Sequence, residues 1–324
     1  MTPNFAIIGV AGYVAPRHLK AIRECGGRLV AATDPHSSVG LLDQYSLDIR
    51  FFPEIERFDR HLEKLKRGSE ENRVHWVSVC SPNYLHDAHI RMALRAGANA
   101  LCEKPLVINP WNLDALEELE IETGRRVFTV LQLRLHPALV KLKEEIDRDS
   151  RQHEVVLTYI TARGPWYHMT WKGQPERSGG VGTNIGIHFF DLLLWLFGDV
   201  ERYEVHVNDG HRMAGTLELK RARVRWLLSV EASDLPFAIE PGKRVTHRTI
   251  LVDGREVEFS EGFADLHTRV YQETLAGRGF GVSVARPSVE LTHRLRTRPI
   301  VPPNESAHPL VSGAASARPG TSRV

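Results

Sequence analysis

The sequence predicts an α/β chain in two parts. The first is a Rossmann domain, a doubly wound parallel sheet. The second is an α+β domain built on a large, open-faced, mostly antiparallel sheet. Three observations predict this. The first 130 residues alternate continuous apolar runs with helical patterns, as strands covered on both faces require. A glycine-rich turn joins the first apolar run to the first helical pattern. After about residue 130 the apolar residues recur with period two, which fits strands that bury only one face. A length of 324 residues also suits two cores better than one.

In chain order, the strand candidates of the first part are FAIIGV (5–10), RLVAAT (28–33), VHWVSVC (74–80), NALCE (99–103) and RVFTV (126–130). Helical patterns lie between them at 15–26, 54–68, 84–97 and 110–124, several ending in Gly, the residue favoured just past a helix end. A further helix at 136–149 leads into the period-two strands at 154–163, 202–209, 212–221, 223–232 and 247–260. Trp226 and Leu228, two apart, are expected on the open face of that sheet, where they would favour self-association. Residues 265–296 read as helical, and 299–324, rich in Pro, Ser, Ala and Gly, as a flexible tail. The expected domains are therefore 1–130, 131–298 and the tail.

Charge excludes some classes of partner. The 42 basic and 40 acidic residues are interspersed and sum to +2, which gives no electrostatic case for nucleic acid or a membrane surface. Cys25, Cys80 and Cys102 form no CxxC, and Cys80 and Cys102 end apolar runs; they read as core thiols of a reducing compartment. The apolar run 185–197 is too short to span a bilayer and carries His188 and Asp191. Met1–Asn4 passes straight into a strand, so the expected location is cytoplasmic. No HxH, HExxH or Cys/His cluster points to a metal, and His61, His211 and His267 read as isolated surface residues.

The chemistry-bearing residues of the first part fall at strand ends. Gly9, Gly12 and Ala15 form a GxxGxxA turn, with Tyr13 and Val14 leading into the helix. Glycines let a backbone approach a pyrophosphate, and the helix N-terminus supplies N–H donors. Such a turn alone is also compatible with a tight bend that binds nothing. Asp34, closing the second strand, is placed to accept hydrogen bonds from ribose hydroxyls and to repel a 2′-phosphate; with Pro35, His36 and Ser37 following it, NAD is favoured over NADP. Ser81, Asn83 and His86 follow the third strand, Glu103 and Lys104 the fourth, and Gln132 and Arg134 the fifth. All are expected at the crevice outside the carboxyl ends of the sheet.

The second part contributes GGVGTNIGIHFFD at 179–191. Asn184, His188 and Asp191, at spacings of four and three, are expected on one stripe of one helix. Just before it, GPWYHMTWKG (164–173) and Arg163 gather Trp166, Tyr167, His168, Trp171 and Lys172 in one loop. Aromatics stack on sugars or bases, and Arg163 or Lys172 suits a carboxylate or diphosphate. The same loop could instead close a core or a subunit interface.

Taken together, GxxGxxA, SPNYLH, CEKPL and the GIHFFD helix resemble the Gfo/Idh/MocA oxidoreductases over about residues 4–298. The resemblance implies NAD(P)-dependent oxidation of sugars or cyclitols and usually a homotetramer. Within the family, the 164–173 loop with the following helix is most similar to the UDP-N-acetylglucosaminuronic acid 3-dehydrogenases. These supply diacetamido-uronic acid sugars for bacterial surface polysaccharide such as O-antigen, and reoxidation of NADH by α-ketoglutarate is implied with them. The family's catalytic Lys and His fall on Lys104 and His188, and Asn184 stands where many relatives carry Asp. The expected substrate contacts are Arg163, Trp166, Tyr167, His168, Lys172, Asn184 and His188. His188 suits the base that removes a hydroxyl proton, Lys104 an electrostatic partner and Asn184 a positioning group. A desolvated Lys can also act as base, so the two roles stay interchangeable here. A dehydrogenase of a free sugar or inositol, and a non-catalytic ligand sensor, remain as alternatives.

Overall fold

The computed structural model describes residues 2–240, 242, 245–259 and 265–311. The apolar runs of the first part form β1 (Asn4–Ile8), β2 (Arg28–Thr33), β3 (Arg50–Phe52), β4 (Trp76–Val79), β5 (Asn99–Cys102) and β6 (Val127–Thr129). Between them lie α1 (Ala15–Glu24), α2 (Ile55–Lys66), α3 (His86–Arg95) and α4 (Trp111–Thr123). All five residues of β1 are buried, as a strand covered on both faces demands. Pro16 sits in the first turn of α1, where its missing N–H costs nothing. Gly124 ends α4 with φ 64°, a left-handed cap that suits glycine. The sheet is wholly parallel in the order β3-β2-β1-β4-β5-β6, so winding reverses between β1 and β4. β3 was not expected: three residues are too few to show a period.

The second part carries α5 (Pro137–Asp147), β7 (His153–Thr161), α6 (Pro165–Met169), α7 (Pro175–Ser178), α8 (Gly180–Asn184), α9 (Ile187–Phe197), β8 (Val200–Asn208), β9 (Arg212–Leu219), β10 (Ala222–Ser229), β11 (Thr246–Val252) and β12 (Arg255–Glu256). Its sheet runs β12-β11-β7-β10-β9-β8; only β7–β10 is parallel and the other pairs are antiparallel. Two more helices follow, α10 (Leu266–Leu275) and α11 (Val282–Thr297).

Three expectations are corrected. Trp226 and Leu228 lie on the covered face of the second sheet, each with no exposed surface, and Trp226 meets Phe190 of α9 edge-on at 5.1 Å. Alternation alone cannot say which of two faces is the packed one. The opposite face carries charge instead, with Glu154 and Arg223 side by side on adjacent strands. The tail expected from 299 onward is ordered through residue 311. The Val301 N–H donates to the Val205 carbonyl at 2.9 Å, Ile300 pairs with edge strand β8, and buried His308 bonds Thr158 of β7 at 2.9 Å. Residues 312–324 lie outside the described residues.

The third correction concerns the domains. The chain divides into Met1–His136 with Gly262–Glu290, and Pro137–Glu261 with Leu291–Val324. Residues 265–290, expected with the second domain, pack on the first. Thr129 donates to the Phe280 carbonyl at 2.9 Å, and α10 brings Tyr271 to Ser78 of β4.

Candidate active site

The turn after β1 is shaped by its glycines. Gly9 has φ +85°, and a Cβ there would lie 2.6 Å from the Cys80 carbonyl oxygen, so only glycine fits this approach of β1 to the end of β4. Gly9 N–H donates to the Thr33 carbonyl and Gly12 N–H to the Gly9 carbonyl, which closes the bend before Val14 and α1. Tyr13 projects from the bend with 89% of its surface exposed. Asp34 is buried at the end of β2, accepting from the Ala11 N–H at 3.0 Å and the His36 N–H at 2.9 Å. Its carboxylate is thereby fixed beside the glycine turn with lone pairs to spare. A backbone approach that excludes any Cβ, next to an immobilised carboxylate, fits a dinucleotide with a free ribose 2′-hydroxyl.

The residues after β4 and β5 interlock. Ser81 Oγ bonds His89 Nδ1 at 2.8 Å, and burial pushes the His89 pKa down to about 4. Asn83 is buried in the short turn before α3. His86, expected as a cofactor contact, is fully buried with Nε2 2.8 Å from the Ser81 carbonyl and Nδ1 2.7 Å from the Pro105 carbonyl. It clamps two strand ends together, and burial lowers its pKa. Glu103 also departs from expectation. Its Oε1 lies 2.9 Å from both His18 Nε2 and His267 Nε2, and its Oε2 accepts the Lys104 N–H at 3.2 Å. Both oxygens face protein groups. Although burial opposes charge, these two imidazole bonds hold the carboxyl well below the usual range. Lys104 follows, half-buried, before Pro105, and Gln132 opens the turn after β6. Arg134 lies over the Phe280 ring at 5.8 Å.

The second unit presents the other predicted residues. The 184–191 stretch is not one helix. α8 ends at Asn184, α9 starts at Ile187, and the helical stretch Pro175–Asn184 meets Ile187–Phe197 at a bend of 43°. The break is at Ile185–Gly186, where both N–H groups reach back to the Val181 carbonyl. A Cβ on Gly186 would lie 2.5 Å from the Gly182 carbonyl oxygen and 2.5 Å from Leu228, so the bend needs glycine. His188 is therefore in the first turn of α9, half-buried, while Asn184 closes α8 and Asp191 is buried deeper in α9.

Asn184 Nδ2 donates to the hydroxyl of Tyr167 at 3.1 Å, and burial raises that phenol's pKa. Beside it, Lys172 Nζ lies over the Trp171 ring at 4.5 Å and near the half-exposed Trp166 ring at 5.8 Å. Burial first, and then the exposed Arg163, lower the Lys172 pKa. The His168 ring stacks on His211 at 4.4 Å, and His211 is bonded to Glu231. The loop thus gathers the residues the sequence singled out and adds two from distant strand ends.

His18, His267, Tyr271, His211 and Glu231 were missed as members of these clusters. His18 and His267 are 249 positions apart in number, and no local spacing could join them. Burial of His267 follows from the stripe Leu266, Val270 and Tyr271 on α10, the local signal that separates it from a surface histidine.

Comparison with known proteins bears on what this arrangement does. Residues 3–131 match the model of an oxidoreductase family with an NAD-binding Rossmann fold, and residues 151–239 match that family's C-terminal alpha/beta domain. The chain belongs to the Gfo/Idh/MocA oxidoreductase family. A solved structure of the WlbA (WbpB) dehydrogenase from Thermus thermophilus in complex with NAD and UDP-GlcNAcA is 53% identical to it. That match covers 95% of this chain and 99% of the other, with a TM-score of 0.90. The same dehydrogenase has been solved with NAD and alpha-ketoglutarate, with the same identity, coverage and TM-score. Among curated relatives, inositol 2-dehydrogenase of Rhizobium meliloti is 27% identical over 61% of this chain and 56% of its own length. The D-glucoside 3-dehydrogenase of Escherichia coli is 30% identical over 38% of this chain and 35% of its own length. The matches to these two relatives thus span about half and about a third of their lengths.

Proposed function

We propose that this protein oxidises the 3-hydroxyl of UDP-N-acetylglucosaminuronic acid to the 3-keto sugar with bound NAD, and passes the hydride on to α-ketoglutarate. The observation that carries this is the 53% identity, over nearly the full length of both chains, to a dehydrogenase solved with NAD and UDP-GlcNAcA and again with NAD and alpha-ketoglutarate. NAD, when bound, supplies a two-electron hydride acceptor that can return hydride to a 2-oxo acid.

The chain's own residues supply the rest. The Gly9–Gly12 turn admits the pyrophosphate, Asp34 receives the adenosine ribose, and Ser81, Asn83 and Gln132 line the strand ends that lead to the reacting carbon. His188 takes the hydroxyl proton as hydride leaves the same carbon, and Lys104 stabilises the negative charge that develops on the oxygen. Asn184, held by Tyr167, orients a neighbouring polar group of the sugar. Trp166 offers a half-exposed face for stacking, and Arg163 and Lys172 suit the uronate or the diphosphate. Reduction of α-ketoglutarate runs the proton transfer in reverse and yields 2-hydroxyglutarate. A place in surface-polysaccharide (O-antigen) sugar synthesis, a cytoplasmic location and a homotetramer joined through the charged sheet face belong to the same reading. No helix among the described residues is by itself long and apolar enough to cross a membrane, which is compatible with it.

The test is a product assay by mass spectrometry on purified protein given the UDP sugar, with and without α-ketoglutarate and without added NAD. A 3-keto sugar formed together with 2-hydroxyglutarate is expected. Turnover only with added NAD would remove the recycling step, and no oxidised sugar in either case would remove the nucleotide-sugar assignment. The inositol 2-dehydrogenase match favours a free polyol as the second reading. Truncating 164–173 would then leave polyol oxidation largely intact, whereas it should abolish use of the nucleotide sugar.

A further inference from the structure

The Glu103 carboxylate is built into a hydrogen-bond chain that the reaction as described does not use. An ionised carboxylate only accepts, so His18 and His267 must each present Nε2–H to Oε1, both at 2.9 Å. Burial lowers the His18 pKa and keeps the ring neutral, so its Nδ1 is an acceptor, and the Tyr271 hydroxyl lies 2.8 Å from it. Ser78 Oγ lies 2.6 Å from that same hydroxyl. The donors therefore run in one direction, Ser78 to Tyr271 to His18 to Glu103, with His267 closing the carboxylate from the other side. All five residues are buried. Members of such a chain polarise one another, and a half-satisfied version would be costly.

The chain converges on one place. Its members come from α1, β4, α10 and the end of β5, and the only Glu103 oxygen not taken by imidazole accepts the Lys104 N–H at 3.2 Å. Around Glu103, burial raises the pKa of Cys80, Cys102 and Tyr271, so each of these favours its neutral form, and burial lowers that of His86. The carboxylate is left as the fixed charge of the cluster, one residue before the lysine.

We propose that His18 and His267 are positioning residues which, through the shared Glu103 carboxylate, hold the Lys104 backbone where its ammonium meets the reacting oxygen. This rests on the role given to Lys104 above. A divalent cation is the competing occupant, because the ligand atoms of His18, Glu103 and His267 all lie within 4.8 Å of one another.

The test uses the full chain and two kinds of readout. Metal analysis and 15N-histidine NMR at neutral pH need no substrate. No stoichiometric metal is expected, with His18 neutral and both imidazoles carrying a proton on Nε2. A bound metal at one equivalent, or His18 protonated on Nδ1, would overturn the proposal. Turnover is then compared in His18→Leu, His267→Leu and His18→Gln. The leucine variants should lose on the order of 10- to 100-fold in kcat, as small misplacements of a catalytic group do, with KM for the nucleotide sugar within about twofold. His18→Gln, whose amide can still donate to Oε1, should recover to within about threefold of the parent. Unchanged kcat in both leucine variants, or a loss confined to KM, would contradict the proposal. If the leucine variants fail to fold, the glutamine variant and the tautomers decide it. If the unaltered protein does not oxidise the UDP sugar, the proposed function falls. The 15N resonance of the Lys104 ammonium then decides positioning, since it must shift in His18→Leu and return in His18→Gln.

Discussion

The two units hold their predicted site residues in opposite ways. In the first, Glu103, His86 and Asp34 are each fixed by hydrogen bonds to backbone or to buried side chains, and the lysine of interest leaves directly from that framework. In the second, the 163–173 loop is lined with edge-on and stacked rings: Trp166 and Arg163 stay exposed, and Lys172 rests on indole faces instead of on a carboxylate. Hydrogen-bonded frames fix direction, while aromatic stacks tolerate sliding. The first arrangement suits a step common to many substrates, and the second suits recognition of one particular ligand.

The largest expected effect would break the comparison at its rigid end. Lys104→Ala should lower kcat by about 1,000-fold, roughly 4 kcal/mol of transition-state stabilisation, with little change in KM or melting temperature. A KM effect in place of a kcat effect would mean that Lys104 binds and does not act. Next comes the core of the second unit. Trp226 is fully buried against Phe190, so Trp226→Ala should cost about 3–5 kcal/mol in denaturant unfolding, far more than any change in the loop. A cost below about 1 kcal/mol would return Trp226 to the exposed face first expected of it.

Acid should weaken both units. Burial depresses the pKa of His89 in the first and of His308 in the second to about 4, against 6.5 in an unfolded chain. Between those values the unfolded chain binds more protons, so stability is full above about pH 6.5 and falls as the pH drops toward 4. Each displacement corresponds to about 3 kcal/mol at most. Glu103 extends the loss, because its stabilisation is present above about pH 4.5 and vanishes as the pH falls through its depressed folded value. Melting temperatures measured from pH 7 to pH 3.5 check this; a flat profile would mean that these groups titrate as they do in water. The smallest effect sharpens the comparison at its adaptable end. Trp166→Ala should raise KM for the nucleotide sugar about tenfold, near 1.4 kcal/mol, with kcat within twofold. A kcat loss equal to that of Lys104→Ala would place Trp166 with the rigid group.

The legible parts of the molecule share one property, which is that their information is local. β1, the glycine turn and Asp34 lie within about thirty residues and announce themselves by period and spacing. The EKP tripeptide and the 163–173 loop are equally contiguous. What escaped was set by packing. Which face of the second sheet is covered depends on where α9 lies, so Trp226 was assigned to the wrong one. The bend at Gly186 splits a stripe that looked continuous, because Leu228 packs where any Cβ on residue 186 would lie, only 2.5 Å from it. Residues 300–311 look disordered by composition yet extend the edge of the sheet. His18 and His267 meet only because α1 and α10 both pack beside Glu103, which no periodicity in either helix records.

The most direct test of the central claim follows one hydrogen. UDP-N-acetylglucosaminuronic acid deuterated at C3 would be given to the purified protein with α-ketoglutarate, and both products examined by mass spectrometry. A single deuterium on C2 of 2-hydroxyglutarate, together with an unlabelled 3-keto sugar, is the predicted result. Deuterium left in the sugar, or 2-hydroxyglutarate formed without label, would contradict it.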